Sequence, residues 1–221
     1  MGLRVADLDV RTLGAGPRVV LVHGSIVDAE RTWRHQLELA QRWTLIIPNR
    51  PGFAGSPPLA RGDFAAEAPL VADLLGDGAH LVGHSYGGVI ALLAAAQRPE
   101  AVHSLTVSEP GALRVARGTP AVDTMIAQGE ELYRHRDAIP RREFVALFRA
   151  GAQSARETPD VLPDWLERGA AHVMEERPSW EANVPLDALA QALRDVIAGR
   201  GHTIPSTGAA YNARLEAFLR G

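Results

Sequence analysis

The segment His80–Ala96, with the sequence HLVGHSYGGVIALLAAA, passes from an apolar run into a cluster of glycines and back into an apolar run. The first run predicts a buried β-strand and the second an α-helix. Ser85 lies between them, with Gly83 and Gly87 two residues to either side. A serine at the apex of so tight a strand-to-helix turn needs neighbours with almost no side chain. Because such a backbone conformation costs stability, the segment suggests a functional role for Ser85.

The composition is that of one ordinary globular domain. The chain has 221 residues, of which 46% are hydrophobic and 22% charged, and it contains no cysteine. Disulfides, thiolate metal sites and cysteine nucleophiles are therefore excluded. A net charge of -3 gives no reason to expect nucleic acid or an anionic membrane as a partner. The first residues, MGLRVADLDVRTLG, lack the apolar stretch of a signal peptide, and no run approaches the roughly 20 residues that span a bilayer, so we expect a cytoplasmic protein.

Strand and helix patterns alternate along the first half of the chain. The predicted strands cover residues 4–14, 18–24, 44–48, 79–84 and 102–110, and the predicted helices cover 28–43, 64–78 and 87–100. The segment 18–24 is continuously apolar, as in a strand covered on both faces. This alternation predicts an α/β fold, in which a mostly parallel central sheet has helices on both faces.

The pattern changes between residues 113 and 184, where four helix-like segments follow one another without a convincing strand. Apolar residues at helical spacing in this region are Met125, Leu132, Tyr133, Phe144, Leu147, Phe148, Trp165, Leu166, Val173 and Met174. We therefore expect a helical cap at 113–184, inserted into a core formed by 1–112 and 185–221. The apolar residues either line a substrate pocket or pack the cap onto the core.

Residues 83–87, GHSYG, match the pattern G-x-S-x-G with a strand before it and a helix after it. Here the chain resembles the α/β-hydrolase superfamily, and the resemblance runs along nearly the whole sequence. It implies that Ser85 is the nucleophile, and that the backbone N–H groups of Ser25 and Tyr86 form an oxyanion hole. Ser25 belongs to the matching segment VHGSIVDAERTW. The segment NRPGFAGSP resembles another family segment, usually begun by Asp where this chain has Asn49, and we expect it to be structural.

The family order implies a histidine base in a loop after a late strand, and His202 fits this position. The segment RDVIAGRGHTIPSTGAAYNARLEAFL contains a short strand pattern, a glycine-rich loop with His202, and a closing helix. His202 would accept the Ser85 proton and return it to the leaving group. The acid is less well defined. Glu109, at the end of the strand SLTVSEPG, could orient the His202 imidazole, or it could simply face solvent.

The chain departs from the family just before His202. Residues 185–202, PLDALAQALRDVIAGRGH, have room for one helix at 186–193 and one strand at 195–198, and about 25 residues of the family pattern are absent. Asp187 and Asp195 are poor substitutes for the acid that other members place there. Three explanations are open: a natural shortening with the last strand moved next to the sixth, an engineered deletion, or a stretch missing from this sequence. A shift by one strand, about 4.8 Å, would remove His202 from hydrogen-bond reach of Ser85.

The sequence thus predicts a serine hydrolase that acts on a small carboxylic ester of apolar character through an acyl-enzyme. Lactone hydrolysis and carbon–carbon cleavage of a diketone would use the same residues. No cofactor and no metal are implied, because the histidines lack a ligand-spaced partner. The oligomeric state is left open. The alternative is a non-catalytic or degenerate ligand-binding protein of the same fold, and the shortened region before His202 favours it.

Overall fold

The computed structural model describes residues 3–152, 154, 157–189 and 208–220, and this part of the chain contains one five-stranded sheet. The strands are β1 (Val10–Leu13), β2 (Arg18–Val22), β3 (Thr44–Pro48), β4 (Ala79–His84) and β5 (Val102–Ser108). Their order in the sheet is β1-β3-β2-β4-β5. β1 pairs antiparallel with β3, and all other neighbours are parallel. The predicted fold class, a mostly parallel α/β sheet, is confirmed.

Helices connect the parallel strands and cover both faces of the sheet. The α-helices are α1 (Ala29–Trp33), α2 (Phe64–Leu74), α3 (Tyr86–Gln97), α4 (Pro120–Arg134), α5 (Arg141–Gly151), α6 (Asp164–Glu175), α7 (Leu186–Leu189) and α8 (Ala209–Leu219). Short 3-10 helices occur at Val5–Asp7, Leu37–Gln41, Pro99–Ala101, Leu113–Ala116, Arg136–Ala138 and Ser179–Glu181.

The central strands are buried on both sides, as their continuous apolar character predicts. Alternate residues of β2 enter different cores: Val20 and Val22 pack with α2 and α3, whereas Val19 and Leu21 pack with α1 and α8. Side chains alternate across a strand with a period of two, so this division follows from the extended backbone. The sheet therefore holds the end of β4, and with it Ser85, between two packed helical layers.

Helices α4, α5 and α6 occupy most of the segment predicted to be a cap. They form a hydrophobic cluster of their own, which includes Phe144, Val145 and Leu166, and among the described residues the first half of the chain contributes the buried Ile26 to it. Leu147, expected in the apolar stripe, is instead 48% exposed, and Val145 takes the buried position. The other two members of the stripe expected on α5 are confirmed, because Phe144 is buried and Phe148 packs against the cluster.

Two local predictions differ from the structure. The single helix expected over 28–43 is divided into α1 and the 3-10 helix Leu37–Gln41, and the intervening Gln36 is fully buried, with its amide donating to Asn212 Oδ1 at 2.9 Å. At the other end of the chain, α7 confirms the start of the helix expected at 186–193. The rest of that helix and the strand expected at 195–198, with Asp195, lie outside the described residues.

Candidate active site

Ser85 occupies a strained turn between β4 and α3. Its backbone has φ 55° and ψ -122°, a conformation that residues with a side chain rarely adopt. The flanking glycines make the turn possible. A Cβ added to Gly83 would lie 2.5 Å from the Gly87 carbonyl oxygen, and one added to Gly87 would lie 2.3 Å from the His23 carbonyl oxygen. The glycines are therefore required by close backbone approach, as the sequence pattern predicted.

The Ser85 hydroxyl is left available for chemistry. Although Ser85 is the N-cap residue of α3, its side chain makes no capping hydrogen bond, and Oγ has no hydrogen-bond partner within the described residues. The backbone, in contrast, is held firmly: Ser85 N–H donates to the Ser108 carbonyl at 3.0 Å, and Gly111 N–H donates to the Ser85 carbonyl at 3.2 Å. The residue is 9% exposed, so the turn fixes a nearly buried hydroxyl at the end of the sheet.

The loop after β2 lies directly against this turn. A Cβ on Gly24 would be 2.8 Å from the Ser85 Cβ, so only glycine fits there. Neither of the two amides expected in the oxyanion hole, Ser25 N–H and Tyr86 N–H, donates a hydrogen bond to any residue that the structure describes. We call residues 23–27 the oxyanion loop, after the Ser25 amide that the family resemblance predicts to be a donor there. Ile26 in this loop has φ 67°, a second non-glycine residue in the left-handed region.

A network of buried charged side chains, Arg50, Glu67 and Glu176, contacts the oxyanion loop. The Ser25 hydroxyl donates to Glu176, which follows directly after α6. The Arg50 guanidinium donates to Glu176 Oε1 at 2.6 Å, to both Glu67 carboxylate oxygens at 2.8 and 3.0 Å, and to the Gly24 carbonyl at 3.0 Å. The side chains of Arg50, Glu67 and Glu176 are at most 2% exposed. The network therefore ties the loop to α2 and to the helical segment.

Burial and neighbouring charge act differently on the two carboxylates. For Glu67, burial outweighs the attraction of Arg50 and raises the pKa above its ordinary value. For Glu176, burial also opposes ionisation most strongly, but Arg50, the nearby His172 imidazole and the Ser25 hydroxyl together outweigh it and lower the pKa to about 2. Glu176 is thus an anion at neutral pH and an acceptor for the Ser25 hydroxyl.

His23, the residue directly after β2, is hydrogen-bonded within the network in its neutral form. One ring nitrogen, Nδ1, lies 2.9 Å from the Gly24 carbonyl, and the other, Nε2, accepts from Arg50 N–H at 2.9 Å. Burial, reinforced by the Arg50 charge, lowers the pKa of His23 to about 3. A neutral imidazole with Nδ1 protonated satisfies both contacts.

Tyr86 links the turn to two further elements. Its hydroxyl accepts from Phe64 N–H at 3.1 Å and donates to the Arg177 carbonyl at 3.1 Å. Burial raises its pKa above the ordinary value, and the Arg50 guanidinium lies 4.2 Å from the centre of the ring. The first residue of α3 is therefore held by α2, by the network and by the chain that follows α6.

Of the other two residues expected in the site, the structure describes Glu109 but not His202. Glu109 directly follows β5, and the residue before it, Ser108, pairs with His84 next to Ser85. Its φ is 47°, its side chain is exposed, and its carboxylate has no partner within the described residues. His202 lies outside the described residues. The helix that follows it, α8, is anchored to the same edge of the sheet by the Tyr211 hydroxyl, 2.9 Å from Ser108 Oγ.

The sequence reasoning missed Arg50, Glu67 and Glu176, although a signal was present. Glu67 is three residues after Phe64 and four before Val71, so it lies on the buried face of α2. Glu176 extends the buried row that runs through Val173 on α6. A charged residue at such an apolar position indicates a buried partner of opposite charge.

Asn49 has the structural role expected of its segment. Its amide oxygen accepts from Ala29 N–H at 3.1 Å, and its amide nitrogen donates to Asp9 Oδ2 at 2.9 Å.

No group of three or more His, Cys, Asp or Glu side chains in the described ranges is placed to bind a metal ion. In the same ranges, no helix combines the length and the apolar character needed to cross a bilayer.

The chain belongs to the α/β-hydrolase family. The model of that family matches residues 19–219, which include both the oxyanion loop and the Ser85 turn. A solved hydrolase from Oleispira antarctica has the same fold, with a TM-score of 0.70 at 16% identity over 100% of this chain and 99% of that one. The sequence thus identifies the family, and the structural comparison independently supports the fold.

Among curated relatives, pimeloyl-[acyl-carrier protein] methyl ester esterase of Chromobacterium violaceum is 35% identical over 159 residues, 71% of this chain and 63% of that protein. The lipase LipV of Mycobacterium tuberculosis is 31% identical over 188 residues, 82% of this chain and 69% of that protein. The matches to three methyl ester esterases, from C. violaceum, Aeromonas salmonicida and Aeromonas hydrophila, span less than two thirds of those proteins' length, 63 to 65%.

Proposed function

We propose that this protein is a serine hydrolase that cleaves carboxylic esters through an acyl-enzyme, with Ser85 as the nucleophile. The observation on which this rests is the backbone of Ser85. A strained, nearly buried serine whose hydroxyl neither caps its helix nor bonds to another described residue has no evident structural purpose. Two of the curated relatives, an ester esterase and a lipase, are named for the same class of reaction.

The remaining roles follow the family order. In the first half-reaction, Ser85 Oγ bonds to the ester carbonyl carbon, and the carbon–oxygen bond to the alcohol breaks. His202 carries the proton from Ser85 to the leaving alkoxide, and Glu109 orients its imidazole. Water then attacks the acyl-enzyme with His202 again transferring the proton. The acid is released and the Ser85 hydroxyl is restored.

The oxyanion hole consists of Ser25 N–H and Tyr86 N–H in this proposal. Both amides lie beside the Ser85 turn and have no acceptor among the described residues. They are therefore free to donate hydrogen bonds to the negative charge that develops on the carbonyl oxygen in the transition state. Glu176 is then a positioning residue. By accepting the Ser25 hydroxyl while bound to Arg50, it fixes the backbone of the loop that presents one of the two donors.

The helical segment 113–184 acts as a cap over this site. Support comes from α6 and the residue after it, which both contact the oxyanion loop. A Cβ on Gly169 in α6 would lie 1.9 Å from the Ile26 carbonyl oxygen, and Glu176 accepts a hydrogen bond from the Ser25 hydroxyl. Movement of α6 would therefore disturb the oxyanion loop directly.

Hydrolysis of p-nitrophenyl esters tests the proposal. We expect turnover with a burst of p-nitrophenol, loss of activity in Ser85→Ala and His202→Ala, and at least a hundredfold lower kcat in Glu109→Gln. Glu100→Gln is the matched control, because Glu100 lies on an exposed 3-10 helix just before β5, at the opposite end of that strand from Glu109. Unchanged turnover in Glu109→Gln would mean that a different residue is the acid that orients His202. A folded protein without turnover on any ester would favour the non-catalytic binding protein.

A further inference from the structure

A pocket of about 350 Å³ borders the helical segment, and arginines dominate its wall. The arginines that line it are Arg61, Arg114, Arg117, Arg134 and Arg136. All 23 basic residues of the chain are arginines, so their type is not informative, but their clustering is. With two glutamates, the wall has an excess of three positive charges, whereas the whole chain has a net charge of -3.

The two glutamates of the wall do not neutralise it. Glu130 pairs with Arg117 at 3.7 Å, with both side chains at least half exposed. Glu181 pairs at 2.9 Å with Arg177, which does not line the pocket. One carboxylate is therefore engaged by an arginine from outside, and the other forms only a solvent-screened pair.

Three of the arginines lack a carboxylate within hydrogen-bond distance among the residues that the structure describes. Arg61 Nε donates to the Glu175 carbonyl at 3.2 Å, and the Arg114 guanidinium has no hydrogen bond or ion pair to another described residue. Arg136 Nε makes no hydrogen bond to a described residue and forms only a long ion pair with Asp137 Oδ1, at 3.9 Å. Arginines that are not engaged by a close carboxylate keep N–H donors for charge-assisted hydrogen bonds to an anion.

Two residues that line the pocket are close in sequence to residues that contact the Ser85 turn. Arg114 follows Gly111 by three residues, at most about 11 Å of chain, and Gly111 N–H donates to the Ser85 carbonyl. Trp180, which also lines the pocket, directly follows Ser179, whose side chain packs against Gly111. Tyr133 and Trp180 add an edge-to-face aromatic pair, with ring centres 5.3 Å apart.

We infer that this pocket binds an anionic group, a carboxylate or a phosphate, at the far end of an ester whose carbonyl reacts at Ser85. Arginines hold such groups by paired hydrogen bonds, and the Tyr133–Trp180 pair offers an apolar wall for the connecting carbon chain. The inference rests on the proposed function for the ester end of the substrate. It also refines the expectation of an apolar ester, since the substrate would combine an apolar chain with a charged end.

Binding is tested first without turnover, by isothermal titration calorimetry on Ser85→Ala protein. The probes are adipate, inorganic phosphate and the neutral 1,6-hexanediol. We expect adipate or phosphate to bind, hexanediol not to bind, and affinity to fall at least tenfold in Arg61→Gln/Arg114→Gln and at high salt. The relative affinities of adipate and phosphate distinguish a carboxylate from a phosphate ligand. Arg11→Gln, an exposed arginine on β1, is the control and should bind like the parent protein.

Kinetics on the active protein then compare esters of equal length that end in a carboxylate, an amide or a methyl group. We expect at least tenfold higher kcat/KM for the carboxylate ester, through a lower KM. This preference should be lost in Arg61→Gln/Arg114→Gln and kept in the control Arg11→Gln. Equal kcat/KM for all three esters, or anion binding that survives the double substitution, would overturn the inference. Anion binding without any ester turnover would retain the anion site and reject the hydrolase, so the two proposals fail separately.

Discussion

Glu176→Gln isolates the charge of the residue that supports the oxyanion loop. Glutamine keeps the size of the side chain and an acceptor for the Ser25 hydroxyl, but it removes the anion that faces Arg50. A fall in the pKa of Glu176 from 4.5 to about 2 corresponds to about 3 kcal/mol of folding free energy at neutral pH. Relief of the repulsion between Glu176 and Glu67 acts in the opposite direction, so we expect a loss of about 2–3 kcal/mol.

For a chain of this length, that loss lowers Tm by roughly 4–12 °C. The pH dependence provides the sharper test. Because the pKa of Glu176 is lower in the folded state, its contribution is complete above about pH 4.5 and is lost as the pH falls toward 2. The stability difference between parent and Glu176→Gln should therefore shrink to less than about half between pH 7 and pH 3.

Urea unfolding of both proteins at pH 7, 5, 4 and 3 measures this difference. Glu175→Gln is the matched control, since Glu175 precedes Glu176 and its side chain is exposed, and we expect a change within about 0.5 kcal/mol. In the ester assay, Glu176→Gln should lower kcat about tenfold with KM changed less than threefold. A stability difference that is absent at pH 7, or that stays constant down to pH 3, would refute the reasoning.

Three further predictions concern packing and strain. Gly169→Ala should lower the free energy of unfolding by at least about 2 kcal/mol and lower kcat, because its Cβ would meet a backbone carbonyl of the oxyanion loop. The control Gly151→Ala has open space around its Cβ and should be neutral or stabilising, and thermal unfolding compares the two variants. Ser85→Gly should be about 1 kcal/mol more stable than Ser85→Ala in urea unfolding, since only glycine relieves the positive φ, and equal stabilities would contradict the strain. Tyr211→Phe should cost about 1–2 kcal/mol in the same assay by leaving the buried Ser108 hydroxyl unpaired, and a neutral effect would mean that this bond does not anchor α8.

The sheet and the Ser85 turn were predictable because both follow from local rules. Continuous apolar strands, alternating helices and glycines at the two positions of closest approach leave few alternatives. The break between α1 and the 3-10 helix was not predictable, since it depends on Gln36 meeting Asn212, a residue from the other end of the chain.

The buried network was missed for the same reason. Arg50, Glu67 and Glu176 are far apart in sequence, and each alone resembles a surface charge. Their contact in the folded protein explains why Glu67 on α2 and Glu176 directly after α6 occupy buried positions: each forms an ion pair with Arg50. Pairing of Ser85 with His202 depends likewise on long-range geometry, and it stays a prediction.

Reaction with a fluorophosphonate, followed by peptide mass spectrometry, tests the central claim most directly. An activated serine displaces fluoride and retains the phosphonyl group, whereas an ordinary serine does not react at the same rate. We predict one adduct, on the peptide that contains Ser85, absent in Ser85→Ala and strongly slowed in His202→Ala. A folded protein that stays unlabelled, or one labelled at a different serine, would contradict the account.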